Sequence, residues 1–275
     1  TFLSNKAAEK FFPYLILAVK EPNWQIKINA ANTLGFFKVS NALEALLPLL
    51  EDKDDLVKSS AEDALRKIIQ PFHYSFLKQE FKKFNLEAQK RIVSILAEAG
   101  YAENKDFLLE MAKSKFLPIQ KTAIYYLGQD SKSASLLIPF LEDKDPGIRK
   151  IACSLLGRRK IEYTSIIPCL QDNDISVRKS AIWSLSQIPG SKTLQTMQGF
   201  VQKEIFQKDI SSMVVQEDLV IALMILGLQG KEEILDCCKK ILDRTDISEQ
   251  SKARLIYGLS GIRNRETFFY LLQLF

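Results

Sequence analysis

Four lysines recur through this 275-residue chain at a near-constant interval: Lys90, Lys121, Lys150 and Lys179. Each follows a polar or cationic residue (Gln89, Gln120, Arg149, Arg178). Each is followed four positions on by Ser94, Tyr125, Ser154 or Trp183. Ammonium groups at a fixed pitch beside aromatic rings break no bonds; they hold an extended anion. Residue sets that would break bonds are not apparent. The one histidine, His73, sits in the apolar stretch "QPFHYSF", where a packing role is expected. Cys153, Cys169, Cys237 and Cys238 lack C-x-x-C and zinc spacing, and the vicinal pair would be strained if bridged, so reduced thiols are expected. Neither a Gly-rich phosphate loop nor G-x-S-x-G occurs. The acidic tag "EDKD" lacks the twelve-residue ligand spacing and the glycine of a calcium loop. The expectation is a binding protein, not an enzyme, with no cofactor and no metal.

Composition agrees. The chain is 47% hydrophobic and 26% charged, an ordinary globular profile, and its net charge of +5 is too small for a protein that coats nucleic acid. No apolar run reaches the 18 residues or so that span a bilayer. Reduced thiols point to a cytoplasmic setting. The chain begins at Thr1 rather than Met, so an upstream targeting segment stays open.

Position along the chain explains the lysine row. "LEDKDPGIRKIACSLLG" (141–157), "LEDKDDLVKSSAEDALR" (50–66) and "LQDNDISVRKSAIWSLS" (170–186) share one frame: an acid, two spacers, Ile/Val, three spacers, Ala, three spacers, Leu. The frame gives Ile26-Ala30-Leu34, Val57-Ala61-Leu65, Ala88-Ile92-Leu96, Ile119-Ala123-Leu127, Ile148-Ala152-Leu156 and Val177-Ala181-Leu185. Two weaker copies follow, Asp218-Ala222-Leu226 and Gln250-Ala253-Tyr257. The middle position steps by 31, 31, 31, 29, 29, 41 and 31 residues, the mark of a solenoid. Spacing of four places the three residues on one helix face as a buried stripe, with alanine letting a neighbour approach. Asn23, Asp54, Asn85, Asp145, Asp174 and Asp246 precede the stripes and are expected to be N-caps, worth roughly 1 kcal/mol each. Glycines 35, 128, 157, 227 and 258 follow the last stripe residue and mark either a helix end or a tight crossing. Before each cap lies another apolar helix, as in Leu43, Leu46, Leu47 and Leu50. Pro48, Pro139 and Pro168 fall nine residues before their stripes and imply a recurrent kink. "EDKD" is then the turn between two antiparallel helices.

At "IPFLEDKDPGIRKIACSLLG" the chain resembles the short bacterial HEAT repeat, also called the phycobilisome-lyase HEAT-like repeat. That repeat reads as leucines, then Asp, Val-Arg, Ala and Ala-Leu-Gly. The resemblance runs over almost the whole chain, is strong at the second, fifth and sixth copies, and weakens at Ala88 and Asp218. It implies an all-α, right-handed α-solenoid of about eight helix pairs plus a final single helix, with second helices lining the concave side. A single solenoid domain over 1–275 is expected. "ETFFYLLQLF" (266–275) reads as the first helix of a ninth repeat, so it either caps the stack or the chain continues. The family is mostly one of binding scaffolds.

On that geometry the expected partner-binding ladder is Lys90, Lys121, Tyr125, Lys150, Lys179 and Trp183, facing an acidic segment of a protein partner. A solvated face of no function is the competing reading for the lysines. Arg149 and Arg178 stand where the resemblance implies a structural pair with a loop acid of the neighbouring repeat, with Asp145 and Asp174 available. "DLVIALMILGL" (218–228) is apolar all round; Val220 and Met224 stand where the lysine and aromatic stood. Coverage by the extra residues before it is the default, and a second apolar surface the alternative. A DNA-binding solenoid similar to the HEAT-like alkylpurine glycosylases is the other functional reading, though Asp63 is the only aspartate at an outward second-helix position. A bilin-lyase-type enzyme ranks below both.

Overall fold

A computed structural model of the chain describes residues 9–160, 163–206 and 215–274. Among these residues there are helices and no strand, in two compact units, Thr1–Leu127 and Gly128–Phe275.

In the first unit the helices are α1 (Phe12–Ala18), α2 (Trp24–Phe36), α3 (Leu43–Leu46), α4 (Asp55–Ile68), α5 (Tyr74–Glu80), α6 (Leu86–Ala99), α7 (Tyr101–Met111) and α8 (Leu117–Leu127). The second helices α2, α4, α6 and α8 pack side by side in chain order. In the second unit, α9 (Pro146–Arg159), α11 (Ile175–Gln187), α13 (Glu217–Leu228) and α15 (Glu249–Leu259) do the same. They alternate with α10 (Tyr163–Ile166), α12 (Ser191–Phe206), α14 (Leu235–Leu242) and the closing α16 (Arg265–Gln273).

The stripe is the core. All three positions are buried in the second to seventh copies, from Val57, Ala61 and Leu65 through to Asp218, Ala222 and Leu226. Ile26 departs from the frame at 42% exposure, because it lies in the first turn of α2 and only the short α1 precedes it among the described residues. Asn23, Asp54, Asn85, Asp145 and Asp174 each accept a backbone N–H of the first helical turn. Where helices approach, glycine removes the obstacle. A methyl on Gly157 would lie 2.6 Å from Ser184 Cα, and one on Gly35 2.8 Å from Ala64 Cα. These glycines mark crossings, since both lie within helices. The expected proline kink is a change of helix type: α3 gives way to a 3₁₀ turn over Leu47–Glu51 and α10 to one over Ile167–Gln171, with Pro48 and Pro168 at their starts. Pro139 lies within a 3₁₀ run, Ser131–Glu142. The tighter i→i+3 pattern absorbs the missing donor.

Two expectations need correcting. In the last repeat Ala253 and Tyr257 are exposed, and the buried positions are Leu255 and Leu259. The stripe there is Ser251-Leu255-Leu259, capped by Ser248, whose hydroxyl accepts from Ser251 N–H; Asp246 pairs with Arg244 instead. A leucine can take the middle position because glycines make the close approach: methyls on Gly258 and Gly261 would lie 2.6 Å from Met224 Cα and 2.5 Å from Leu228 Cα. Second, Val220 and Met224 offer no surface, being 1% and 7% exposed. Asp218 through Gly227 are buried without interruption, because α11, α12 and α15 all pack on α13. Of the extra residues thought to fold over α13, 207–214 lie outside the described residues; 191–206 form α12.

Candidate functional site

The acidic tag divides its labour. Its last aspartate caps the following helix. The aspartate two places earlier, Asp52, Asp143 or Asp172, accepts the backbone N–H of the capping residue at 2.8–3.0 Å and so closes the turn. Asp172 also receives the preceding repeat's Arg149 in a two-pronged pair, Nε and Nη2 each at 2.7 Å. Arg149 Nη1 donates to the carbonyl of Asp143 at 2.8 Å, which clasps two successive turns. Hydrogen bonding from Arg149 holds the Asp172 carboxyl below its ordinary range, against the opposing effect of burial. Lys27 meets Asp52 in the same way. Arg178 repeats the device on Asp218. The arginines are therefore structural, but their acids are Asp172 and Asp218, not Asp145 and Asp174: a capping carboxylate points along its own helix.

The lysines divide between the units. In the first, Glu62 takes both Arg66 and Arg91, Arg66 also meets Glu98, and Arg91 meets Glu87. Lys90 stands 3.9 Å from Glu87, and Lys121 is half-buried with an interaction of its own. Tyr125 is exposed and meets Tyr126 edge-on. Arg66, Arg91 and Lys90 thus each stand within 4 Å of a carboxylate.

In the second unit α9 and α11 lie against each other and enclose a cleft of about 330 Å³. Lys150, Ser154 and Arg158 of α9 line it one helical turn apart, opposite Lys179, Trp183 and Gln187 of α11. Four serines, 154, 176, 180 and 184, complete the lining, and no carboxylate is among the lining residues. Trp183 remains 45% exposed. Lys179 is engaged: Glu217 Oε2 accepts its ammonium at 2.7 Å, and the other oxygen accepts Arg254. These two cations hold the Glu217 carboxyl below its usual range. Lys150 and Arg158 are exposed and have no ion pair among the described residues. The serine hydroxyls are turned inward. Ser184 donates to Cys153 O at 3.0 Å, Ser180 to Lys150 O at 3.2 Å, and Ser176 to Asp174. Among the described residues the cleft thus offers two cations without an ion pair and an indole.

Sequence reasoning brought Lys150, Lys179 and Trp183 to this place. It missed Arg158, which lies on the row of Lys150 one turn beyond Ser154; the reading stopped a turn short. Glu217, which withdraws Lys179, is 38 residues away along the chain and carries no local signal.

The other chemistry is quiet. His73 Nδ1 accepts from Gln70 N–H at 3.0 Å, making it a helix-start cap rather than a plain packing residue. All four cysteines are buried free thiols; burial pushes Cys237 up to about 11 and Cys238 upward as well. No His/Cys/Asp/Glu group suited to a metal occurs among the described residues, and no described helix is long and apolar enough to cross a membrane.

A family profile described as HEAT repeats matches residues 3–66 and 134–207. No curated protein matches the chain in sequence. Among solved structures, yeast importin-β, Kap95p, is 14% identical with a TM-score of 0.62, covering 98% of this chain and 45% of its own. YibA of Escherichia coli is 15% identical at 0.53, covering 96% and 99%. The CpcE–CpcF phycocyanin lyase complex of Nostoc reaches only 0.35 at 15% identity, covering 100% and 94%, and carries no argument. The chain spans under half the length of the importin-β structure it matches.

Proposed function

The chain belongs to the family of HEAT repeats, and from that we propose that it is a non-enzymatic scaffold that binds an acidic segment of a protein partner. The observation that carries the reading is a pair of cations with no ion pair among the described residues, Lys150 and Arg158, beside the half-exposed Trp183 in a cleft lined by no carboxylate. Tryptophan and arginine are the residue types most enriched where interfaces carry their energy. A protein of similar fold binds other proteins: Kap95p is solved in a complex with Nup1 and binds RanGDP. The ladder narrows from six residues to its members in the second unit, Lys150 and Trp183, joined by Arg158. Lys90 stands 3.9 Å from Glu87, Lys121 has an interaction of its own, Tyr125 meets Tyr126, and Lys179 is held by Glu217.

Fluorescence anisotropy with labelled poly-L-glutamate and with duplex DNA tests this. Poly-L-glutamate should bind, more weakly as salt rises. The double variant Lys150→Glu/Arg158→Glu should bind at least tenfold more weakly with an unchanged melting temperature. Tighter binding of duplex DNA at equal salt, with a log–log salt slope of several units, would favour the glycosylase-like alternative. Equal poly-L-glutamate binding by wild type and variant would remove the cleft.

A further inference from the structure

We infer that the α9–α11 cleft takes an extended peptide of the pattern acidic–x–apolar–x–acidic, its apolar side chain lying on Trp183; this rests on the acidic-segment reading above. Lys150 and Arg158 are eight residues apart on one helix, so their attachment points are separated by about 12 Å at about 1.5 Å per residue. In an extended peptide, residues four apart span about 13 Å at roughly 3.3 Å each. A helical ligand would need eight residues to place two acids as far apart. It would also bring a cylinder of about 10 Å diameter to a space of about 330 Å³.

The charge count agrees. With Lys179 committed to Glu217, the cleft presents two positive groups that have no ion pair among the described residues, one at each end of the row. A single phosphate would have to draw both long side chains toward the middle of the row. Two carboxylates would meet one each. Between the cations lie the small side chains of Ser154 and Ser180 and the indole of Trp183. Ser154 and Ser180 touch through their hydroxyls at 2.7 Å, and Trp183 stands on the next turn of α11. Because the serines are small, they leave the indole face open. Because Ser176, Ser180 and Ser184 each donate to a protein oxygen, those hydroxyls have no proton to offer a phosphate or a peptide carbonyl. Recognition therefore falls to charge at the ends and stacking in the middle.

The test uses Trp183 as the reporter in a Trp24→Phe background, which leaves it the sole indole. Three peptides are titrated into the chain at low salt: Glu-Gly-Leu-Gly-Glu, the compressed Gly-Glu-Leu-Glu-Gly, and Gln-Gly-Leu-Gly-Gln, each flanked by Gly-Ser. The first should bind at least fivefold more tightly than either of the others. Lys150→Gln and Arg158→Gln should each erase its advantage over the compressed peptide while melting as the parent does. Equal binding of the two glutamate peptides overturns the spacing but leaves the acidic-segment reading standing. Failure of poly-L-glutamate overturns both. Tighter binding by a peptide carrying one phosphoserine in place of both glutamates overturns the two-carboxylate assignment.

Discussion

Arg149→Met should destabilise the second unit by about 2–3 kcal/mol, and the loss should fade in acid. The pair it breaks is nearly covered, with 16% and 10% of the Arg149 and Asp172 side chains exposed. An exposed ion pair contributes about 0.2–1 kcal/mol, whereas stripping one partner from a buried pair costs about 3–5. This clasp sits at the rim of a turn, and after the change Asp172 still accepts Asp174 N–H at 2.8 Å, so the carboxylate is not orphaned. Lost with the guanidinium are the bonds to the Asp143 and Lys144 carbonyls. The cost therefore falls between the two classes. At about 2–4 °C per kcal/mol for a unit of this size, melting should fall by roughly 5–10 °C. Asp172→Asn and the double variant close a cycle whose coupling should be about 1–2 kcal/mol. The pH dependence follows from the depressed carboxyl of Asp172. A group whose folded pKa lies below its unfolded value contributes in full above the unfolded value, near 4, and loses the contribution as pH falls through the folded one. The difference between wild type and Arg149→Met, measured by urea unfolding from pH 7 down to pH 3, should thus be flat above about pH 5 and shrink below 4. A difference under about 0.5 kcal/mol at pH 7, or one that does not change with pH, would refute the clasp.

Gly157→Ala sets helix propensity against crowding. Alanine should gain about 1 kcal/mol in a helix interior, but its methyl would stand 2.6 Å from the Ser184 backbone, and overpacking costs about 1–3. A net loss of about 1–2 kcal/mol in urea melts is expected, whereas Gly199→Ala, with nothing within 4 Å, should stabilise by up to about 1. Ser248→Ala should cost about 1 kcal/mol and Asp246→Ala under half of that; the reverse order would restore the register anchored on Ala253. At pH 8 the buried thiols, Cys237 at about 11 among them, should alkylate far more slowly in the native protein than in urea, where all four should react; rapid native labelling counted by mass spectrometry would contradict their burial.

How much was legible can be judged from particular residues. Five N-caps and six fully buried stripes stood plainly in the chain, since a cap and a 3-4 spacing depend on neighbours within one turn. In the last repeat alanine is a false anchor, and the cap Ser248 marks the frame. The arginine partners were assigned to the wrong acid of the tag. Composition does not say that one carboxylate is committed to a helix start while the other faces the neighbouring repeat. For Val220 and Met224 the pattern left coverage as the default and a surface as the alternative, since their positions in other repeats are outward; α11, α12 and α15 pack on α13 and decide for coverage.

By itself, then, the sequence determined a stack of helix pairs, their caps, the buried stripe and the row on which the lysines stand, all consequences of periodicity within a helix. Only the tertiary structure decided which of those cations are free to act. Lys179 and Glu217 are 38 residues apart in the chain and 2.7 Å apart in space, so neutralisation of a charge is a property of packing between repeats. The same packing, through four small serines, opened the cleft that leaves Lys150, Arg158 and Trp183 facing solvent together.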